Sequence, residues 1–285
     1  MHLAQVVPHS AGTHKPTLAA PEFACDSHMH VYDRRFGVQG APDTMIDDAT
    51  ADDYRLLQRR TGTQRTVVVQ PRVHGTDNSV TLAAIRALGA AHTRGVAVVR
   101  PDVSDAELER LHAGGVRGIR FTLYTPTHAT TDFAMVEPLA HRVHALGWHV
   151  QLHDNGRRLA PAIAAIEPYG IPLVIDHFGR PDLDSGVDCP GFQAVLRAVA
   201  RGRCWVKMSA DFRVGPEAMV RDLTAALLKH AGPERLLWGS DWPFAAYEGQ
   251  VTYDQAVARF SALMPDPAVR DAIHRTANRF YFSDD

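Results

Sequence analysis

Long apolar runs are missing from this chain: no segment approaches the roughly 20 consecutive apolar residues that a membrane-spanning helix needs, and this excludes an integral membrane protein of the helical kind. Residues 1–21 lack the charged start and apolar stretch of a secretory signal. Cysteine is scarce, with only Cys25, Cys189 and Cys204, too few and too scattered for a disulfide framework or a zinc knuckle. An excess of charge of either sign is also missing. A formal net charge of -2 provides no basic field for nucleic acid, and no run of like charges suggests a membrane-surface patch or an acidic tail. A soluble, cytoplasmic protein acting on a small molecule is expected, with neither nucleic acid nor membrane as partner and with homo-oligomer formation left open.

What is present is a chain of 285 residues, 45% hydrophobic, long enough for one α/β barrel or two smaller domains. Residues 1–21, with Pro8, Ser10, Gly12, Pro16 and Pro21, show no sustained periodicity and read as an N-terminal arm, mobile or packed across a barrel base. From residue 22 to 285, β-rich runs alternate with helical ones. Strands are expected at 23–30, 65–70, 95–99, 118–123, 149–153, 173–177, 204–208 and 236–240. Helical periodicity occupies stretches such as 79–92, 104–113, 132–146, 191–200 and 217–230, and 266–281, with Asp266 as N-cap and Pro267 in the first turn, reads as a closing helix. Gly114-Gly115, Leu146-Gly147 and Ala231-Gly232-Pro233 mark helix ends before strands. Continuous apolar strands, each followed by a helix, imply a parallel sheet covered by helices. Eight such units in about 260 residues fit a single (β/α)8 TIM barrel, whose active site lies at the C-terminal ends of the strands.

Those ends carry the chemistry. Alternate residues of a strand share a face, so His28 and His30 converge, with Asp26 on the same face as a candidate to orient an imidazole. Gln70, Arg72, Arg100 and Arg120 follow from strands 2 to 4, and strand 5 ends in His153-Asp154-Asn155. Asp176-His177 with Arg180 comes from strand 6, Lys207, Ser209 and Arg213 from strand 7, and Asp241 from strand 8. His28, His30, His153 and Asp241 meet the ligand count of one divalent ion, zinc first, with His177 beside the substrate; a metal-free cage of imidazoles is the alternative. Asp241 is the best-placed general base in either case. Arg120, Arg180 and Arg213 at one barrel mouth suit a polyanionic small substrate. Lys207 is left without a catalytic role.

Asp26-Ser27-His28-Met29-His30, Gln151-Leu152-His153, Asp176-His177-Phe178-Gly179-Arg180-Pro181-Asp182 and Trp238-Gly239-Ser240-Asp241-Trp242-Pro243 together resemble the amidohydrolase superfamily. More narrowly they are similar to its branch of 2-pyrone-4,6-dicarboxylate lactonases and sugar-acid lactone enzymes, over residues 22–282. Gly75-Thr76-Asp77-Asn78 and the stretch 113–121 add to the match. The resemblance implies a lactone hydrolase: water activated by Asp241, a carbonyl polarised by the histidines or their metal, and carboxylates held by Arg120, Arg180 and Arg213, with Asn78 and Tyr124 as further substrate contacts. His153 departs from the pyrone-dicarboxylate pattern, where no histidine stands on strand 5 and no metal is used. It shifts expectation towards a metal and towards galactarolactone-type substrates, with metal-independent activity still open. A lactone isomerase and a metal-dependent decarboxylase of an unsaturated or aromatic acid are the alternative activities, and a catalytically dead sensor barrel is the alternative of another class.

Overall fold

Eight parallel strands, β1 (Cys25–Met29), β2 (Arg65–Val69), β3 (Thr93–Ala97), β4 (Val116–Thr122), β5 (His149–His153), β6 (Leu173–Ile175), β7 (Cys204–Ser209) and β8 (Leu236–Gly239), pair in chain order. The structure is a computed structural model that describes residues 20–39, 47–122 and 136–283. Just beyond the last rung, His30 N donates to Trp242 O at 2.8 Å and Asp241 N donates to His28 O at 2.8 Å, so the segment after β8 returns onto β1 and closes the cylinder. This is the expected (β/α)8 barrel. Nineteen of the 21 residues read as an N-terminal arm, 1–19, lie outside the described residues.

Around the strands lie α1 (Ala51–Thr61), α2 (Ser79–Leu88), α3 (Asp105–Ala113), α4 (Val136–Ala145), α5 (Gly156–Ile166), α6 (Pro190–Ala200), α7 (Glu217–Ala231), α8 (Tyr253–Leu263) and α9 (Pro267–Phe282). Asp266 caps α9, accepting from Ala268 N at 2.8 Å, as its position before Pro267 suggested. Three helices carry weak sequence signals for identifiable reasons. The segment of α1 is rich in charge and buries only Tyr54, Leu57 and Thr61, so a Thr50–Asp53 capping box has to define its start. A Thr252–Gln255 capping box does the same for α8, and α5 contains Pro161. None of the described helices is long and apolar enough to cross a membrane.

The barrel interior is layered. At its base Cys25, Val67, Val69, Val96, Val174 and Leu237 pack with Ala277, Tyr281 and Phe282 of α9, which plugs that end. Above this apolar layer, positions that alternate along the strands turn ionic: Arg120 on β4, Gln151 on β5 and Lys207 on β7 are all buried. Register places Arg120 beside Gln151 and Thr122 beside His153, so each layer is built from side chains at matching heights.

One helix contact braces the loop that follows β6. A Cβ added to Gly191 in α6 would sit 1.5 Å from Gly156 O in α5, while Gly156 N donates to Arg180 O at 2.8 Å. The obstacle is backbone, which cannot rotate away. Gly191→Ala should therefore lower stability by roughly 3 kcal/mol or more, at the upper end of overpacking penalties, and shift the Arg180 loop. Thermal unfolding within a degree or two of the wild type would contradict this account of the contact.

Candidate active site

Strict alternation cannot place both Cys25 and His28 inside the barrel; an irregularity in β1 does. Cys25 and Asp26 pair with Arg65 and Thr66, whereas Met29 pairs with Val68, so three steps along β1 match two along β2. This bulge reverses the facing of everything after it. Cys25 points into the basal layer and Asp26 points outward, where it accepts hydrogen bonds from Tyr54 and Tyr253 hydroxyls, Ser240 and the His28 amide. The expectation that Asp26 shares a face with His28 and orients an imidazole is thereby corrected: it holds hydroxyls and backbone amides, not an imidazole. His28 and His30 do converge, with their Nε2 atoms 3.3 Å apart.

Asp241 comes to them because β8 runs very close to β1. A Cβ on Gly239 would lie 2.6 Å from His28 Cβ and 2.8 Å from His28 N, so only glycine permits this approach. Asp241 then takes a left-handed conformation at φ 64°, as does His177 at φ 49°. Such strain in two non-glycine residues of one site is the kind that surrounding structure maintains for function. Asp241 Oδ1 lies 3.6 Å from His28 Nε2, 3.6 Å from His30 Nε2 and 3.8 Å from His177 Nε2. Its other oxygen accepts from Arg213 Nε at 2.7 Å, and Arg213 also donates to Ala245 O and lies over the Tyr247 ring at 4.8 Å. His177 Nδ1 is fixed by Ser209 Oγ at 2.8 Å.

Beneath the imidazoles runs a buried ionic network. Asp176 Oδ2 accepts from Arg120 Nε at 2.9 Å and from Gln151 Nε2 at 3.0 Å, Lys207 Nζ donates to Gln151 Oε1 at 2.8 Å, and His28 Nδ1 lies 3.3 Å from Asp176 Oδ1 and 3.4 Å from Lys207 Nζ. Neither Asp176 nor Gln151 received a role from the sequence. The available signal was their charge and polarity at alternate positions of otherwise apolar strands, which places them in one interior layer with Arg120 and Lys207.

Several other expected site residues lie elsewhere or are committed differently. His153 does not join the ligand cluster; its Nε2 lies 3.4 Å from Arg180 Nη1, and its ring stands edge-on to His177 with centroids 5.1 Å apart. Arg120, expected on substrate, donates through its Nε to Asp176. Arg213 is bound to Asp241. Asn78 is corrected outright as a substrate contact: its amide nitrogen donates to Thr76 O and Val98 O and its oxygen accepts from Val98 N, so both ends clamp the end of β3 to the β2 loop. Arg180 remains at the mouth, half-buried. Tyr124 lies outside the described residues. Of the other polar and aromatic residues that follow strand ends, His74 bonds Gly37 O and Arg100 pairs with Asp102 at the surface, while Trp242 and Phe244 are buried.

Burial decides the protonation of the cluster. It raises the cost of charging every imidazole, so His177 is pushed down to about 4 and His28 and His153 lie well below the usual histidine range. All three are neutral near pH 7. Burial also pushes Asp241 upwards, but Arg213 and the histidines beside it more than offset this and hold it well below the ordinary carboxylate range. Asp176 is held down in the same way against its burial, chiefly by Arg120 and His28. Lys207 is lowered to about 8 by burial.

His28, His30 and Asp241 offer three buried donor atoms within 4.8 Å of one another. A tetrahedral zinc site with bonds of roughly 2.0–2.1 Å separates its donors by about 3.4 Å, and the separations here are 3.3, 3.6 and 3.6 Å. Two imidazoles and a carboxylate are also the right donor chemistry, so these residues fit a single divalent ion. His28, Asp176 and His177 form a second such group, but Asp176 is already neutralised by Arg120.

The chain is similar over most of its length to known proteins. A 2-pyrone-4,6-dicarboxylate hydrolase from Comamonas testosteroni is 34% identical over 82% of this chain and 81% of its own length. A D-galactarolactone isomerase from Agrobacterium fabrum is 28% identical over 94% of this chain and 93% of its own. A solved structure from Pseudomonas putida, provisionally described as a 2-pyrone-4,6-dicarboxylic acid hydrolase, superposes with a TM-score of 0.83 at 36% identity, covering 91% of this chain and 97% of that one. The amidohydrolase family model matches residues 25–282, nearly the whole barrel, and the chain belongs to the amidohydrolase family.

Proposed function

We propose that this protein is a lactonase, which opens the ring of a small carboxylated lactone by attack of water that Asp241 orients and deprotonates. The observation that carries the reading is the division of labour at Asp241: Oδ2 is fixed by Arg213 at 2.7 Å, while Oδ1 faces three imidazoles at 3.6 to 3.8 Å. One oxygen sets the position and the other is presented to the reacting atoms.

Attack on a lactone carbonyl places negative charge on its oxygen, and the Nε2–H groups of His28 and His177 beside Oδ1 can stabilise that charge without themselves being ionised. Collapse of the tetrahedral species breaks the ring C–O bond, and the departing alkoxide or enolate takes up the proton that Asp241 removed from the attacking water. His177, neutral and fixed through Nδ1, is placed to move that proton at Nε2. Arg180 at the mouth suits a substrate carboxylate. A pyrone or muconolactone dicarboxylate and a sugar-acid lactone both match this charge, and the relatives named above act on molecules of these two kinds. His28, His30 and Asp241 would hold one divalent ion, for which zinc suits the donor set, and such an ion supplies Lewis acidity when bound.

Proton release followed with a pH indicator, against five- and six-membered lactones with and without a carboxylate, tests the proposal. Hydrolysis near neutral pH should release one proton for each ring opened, and the carboxylated lactones should be preferred by at least ten-fold in kcat/KM. Lactone consumption without acid would make the enzyme an isomerase, as its Agrobacterium relative is named. Release of carbon dioxide would make it a decarboxylase.

A further inference from the structure

The tautomers of the two β1 histidines follow from their partners. His30 Nδ1 lies 2.8 Å from the Val69 carbonyl, which can only accept, so Nδ1 of His30 carries a proton, and in the neutral ring its Nε2 is a lone pair. His28 Nε2 faces that lone pair at 3.3 Å and completes a hydrogen bond only by donating to it. The remaining nitrogen, His28 Nδ1, is then an acceptor. Lys207 Nζ, a donor in every protonation state, lies 3.4 Å from it in hydrogen-bonding orientation, and the side chain of Lys207 is wholly buried, anchored by Gln151 Oε1 at 2.8 Å. The relay runs in one direction, from Lys207 through His28 and His30 to Val69.

Metal binding requires the opposite arrangement at His28. Both Nε2 atoms must offer lone pairs to an ion, so the His28 proton must move from Nε2 to Nδ1. There it needs an acceptor. Asp176 Oδ1 lies 3.3 Å from Nδ1, is fully buried, and receives no well-directed hydrogen bond among the described residues. Lys207 and Asp176 thus compete for the same ring atom, one favouring a histidine that donates into the site and the other a histidine that binds metal.

We propose that Lys207 is a positioning residue that holds His28 as a hydrogen-bond donor and so weakens metal binding at His28, His30 and Asp241, with Asp176 Oδ1 as the acceptor that takes over when an ion enters. The inference rests on those three residues being the ion-holding set of the proposed function. Removing the lysine donor should free His28 Nδ1–H for Asp176, and changes to groups that hydrogen-bond a metal ligand alter metal affinity by about 10- to 100-fold.

The test is titration of zinc chloride into chelator-treated protein by calorimetry, with Lys207→Met beside the wild type. Lys207→Met should bind zinc at least ten-fold more tightly. A lysine with a merely structural role predicts the reverse, since a loosened barrel binds metal less well. Nitrogen-15 NMR of the metal-free wild type, with the His28 signals identified by their loss in His28→Gln, provides a reading that does not depend on the variant folding. Nδ1 of His28 should be unprotonated and Nε2 protonated. A proton on His28 Nδ1 in the metal-free wild type, or zinc affinity in folded Lys207→Met no tighter than wild type, would overturn the proposal. Neither measurement uses a lactone, so an active lactonase with the wrong His28 tautomer sinks this inference alone, and an inactive protein with the expected tautomer sinks the proposed function alone.

Discussion

Asp241→Asn should lower kcat for lactone opening by about 10³-fold, within the 10²–10⁴ range expected for loss of a general base, while the affinity for the lactone stays within ten-fold of wild type. The substitution preserves shape. An asparagine oxygen can still accept from Arg213 Nε, which now holds Oδ2 at 2.7 Å, and the amide nitrogen would then point to the three imidazoles in place of Oδ1. What disappears is the negative charge and the lone pair that receives the proton of water. Substrate affinity should survive because a substrate carboxylate is held elsewhere, and removing an anion from the mouth does not repel it. A split between kcat and binding is therefore the diagnostic readout, measured by proton release together with equilibrium binding of the lactone to the inactive variant. A kcat within ten-fold of wild type would move the base to another group, with His177 the next in position: it is neutral at pH 7, having been pushed down to about 4 by burial.

Much of this site could be read from the sequence because a parallel barrel turns chain position into spatial position. Once eight strands are counted, every polar residue at a strand end has a place at the mouth, and this brought His28, His30, His177, Arg213 and Asp241 together without coordinates. The errors have a common source, in that alternation fixes facing only while the strand is regular. One bulge in β1 turned Asp26 away from the histidines. Height along the barrel axis was likewise invisible, because it depends on strand stagger. Arg120 reads as a mouth residue from its place near the end of β4, yet it lies beside Gln151 and its Nε is bound to Asp176. Asn78 had a polar side chain on the correct loop, and nothing in its spacing reveals that Val98 O, Val98 N and Thr76 O would occupy its amide.

The residue that the bulge diverts should matter as much to the fold as Asp241 matters to the chemistry. Asp26 is fully buried and collects hydrogen bonds from four elements: the His28 amide of β1 at 3.2 Å, the Ser240 amide and hydroxyl after β8 at 2.9 and 2.6 Å, Tyr54 of α1 at 2.9 Å and Tyr253 of α8 at 3.2 Å. It therefore ties together the two strands at which the cylinder closes. Asp26→Ala leaves these donors without their acceptor in a region closed to water, a loss of about 3–5 kcal/mol by comparison with other buried charged networks. For a chain of this size that corresponds to a fall in Tm of roughly 10 °C. Asp26→Asn keeps one acceptor oxygen, and the hydroxyls of Tyr54, Tyr253 and Ser240 can rotate to accept from its amide, so its cost should be less than half as large. The activity of Asp26→Ala should fall even where the protein remains folded. Ser240 Oγ, which donates to Asp26, also accepts from Trp242 N at 2.9 Å, and Asp241 lies between these two residues in its left-handed conformation. Without Asp26 that turn loses its side-chain anchor, and the 3.6 Å approach of Asp241 to His28 and His30 depends on it. An Asp26→Ala protein with a Tm within about 2 °C of wild type and undiminished kcat would show instead that the His30–Trp242 and Asp241–His28 backbone hydrogen bonds close the barrel unaided.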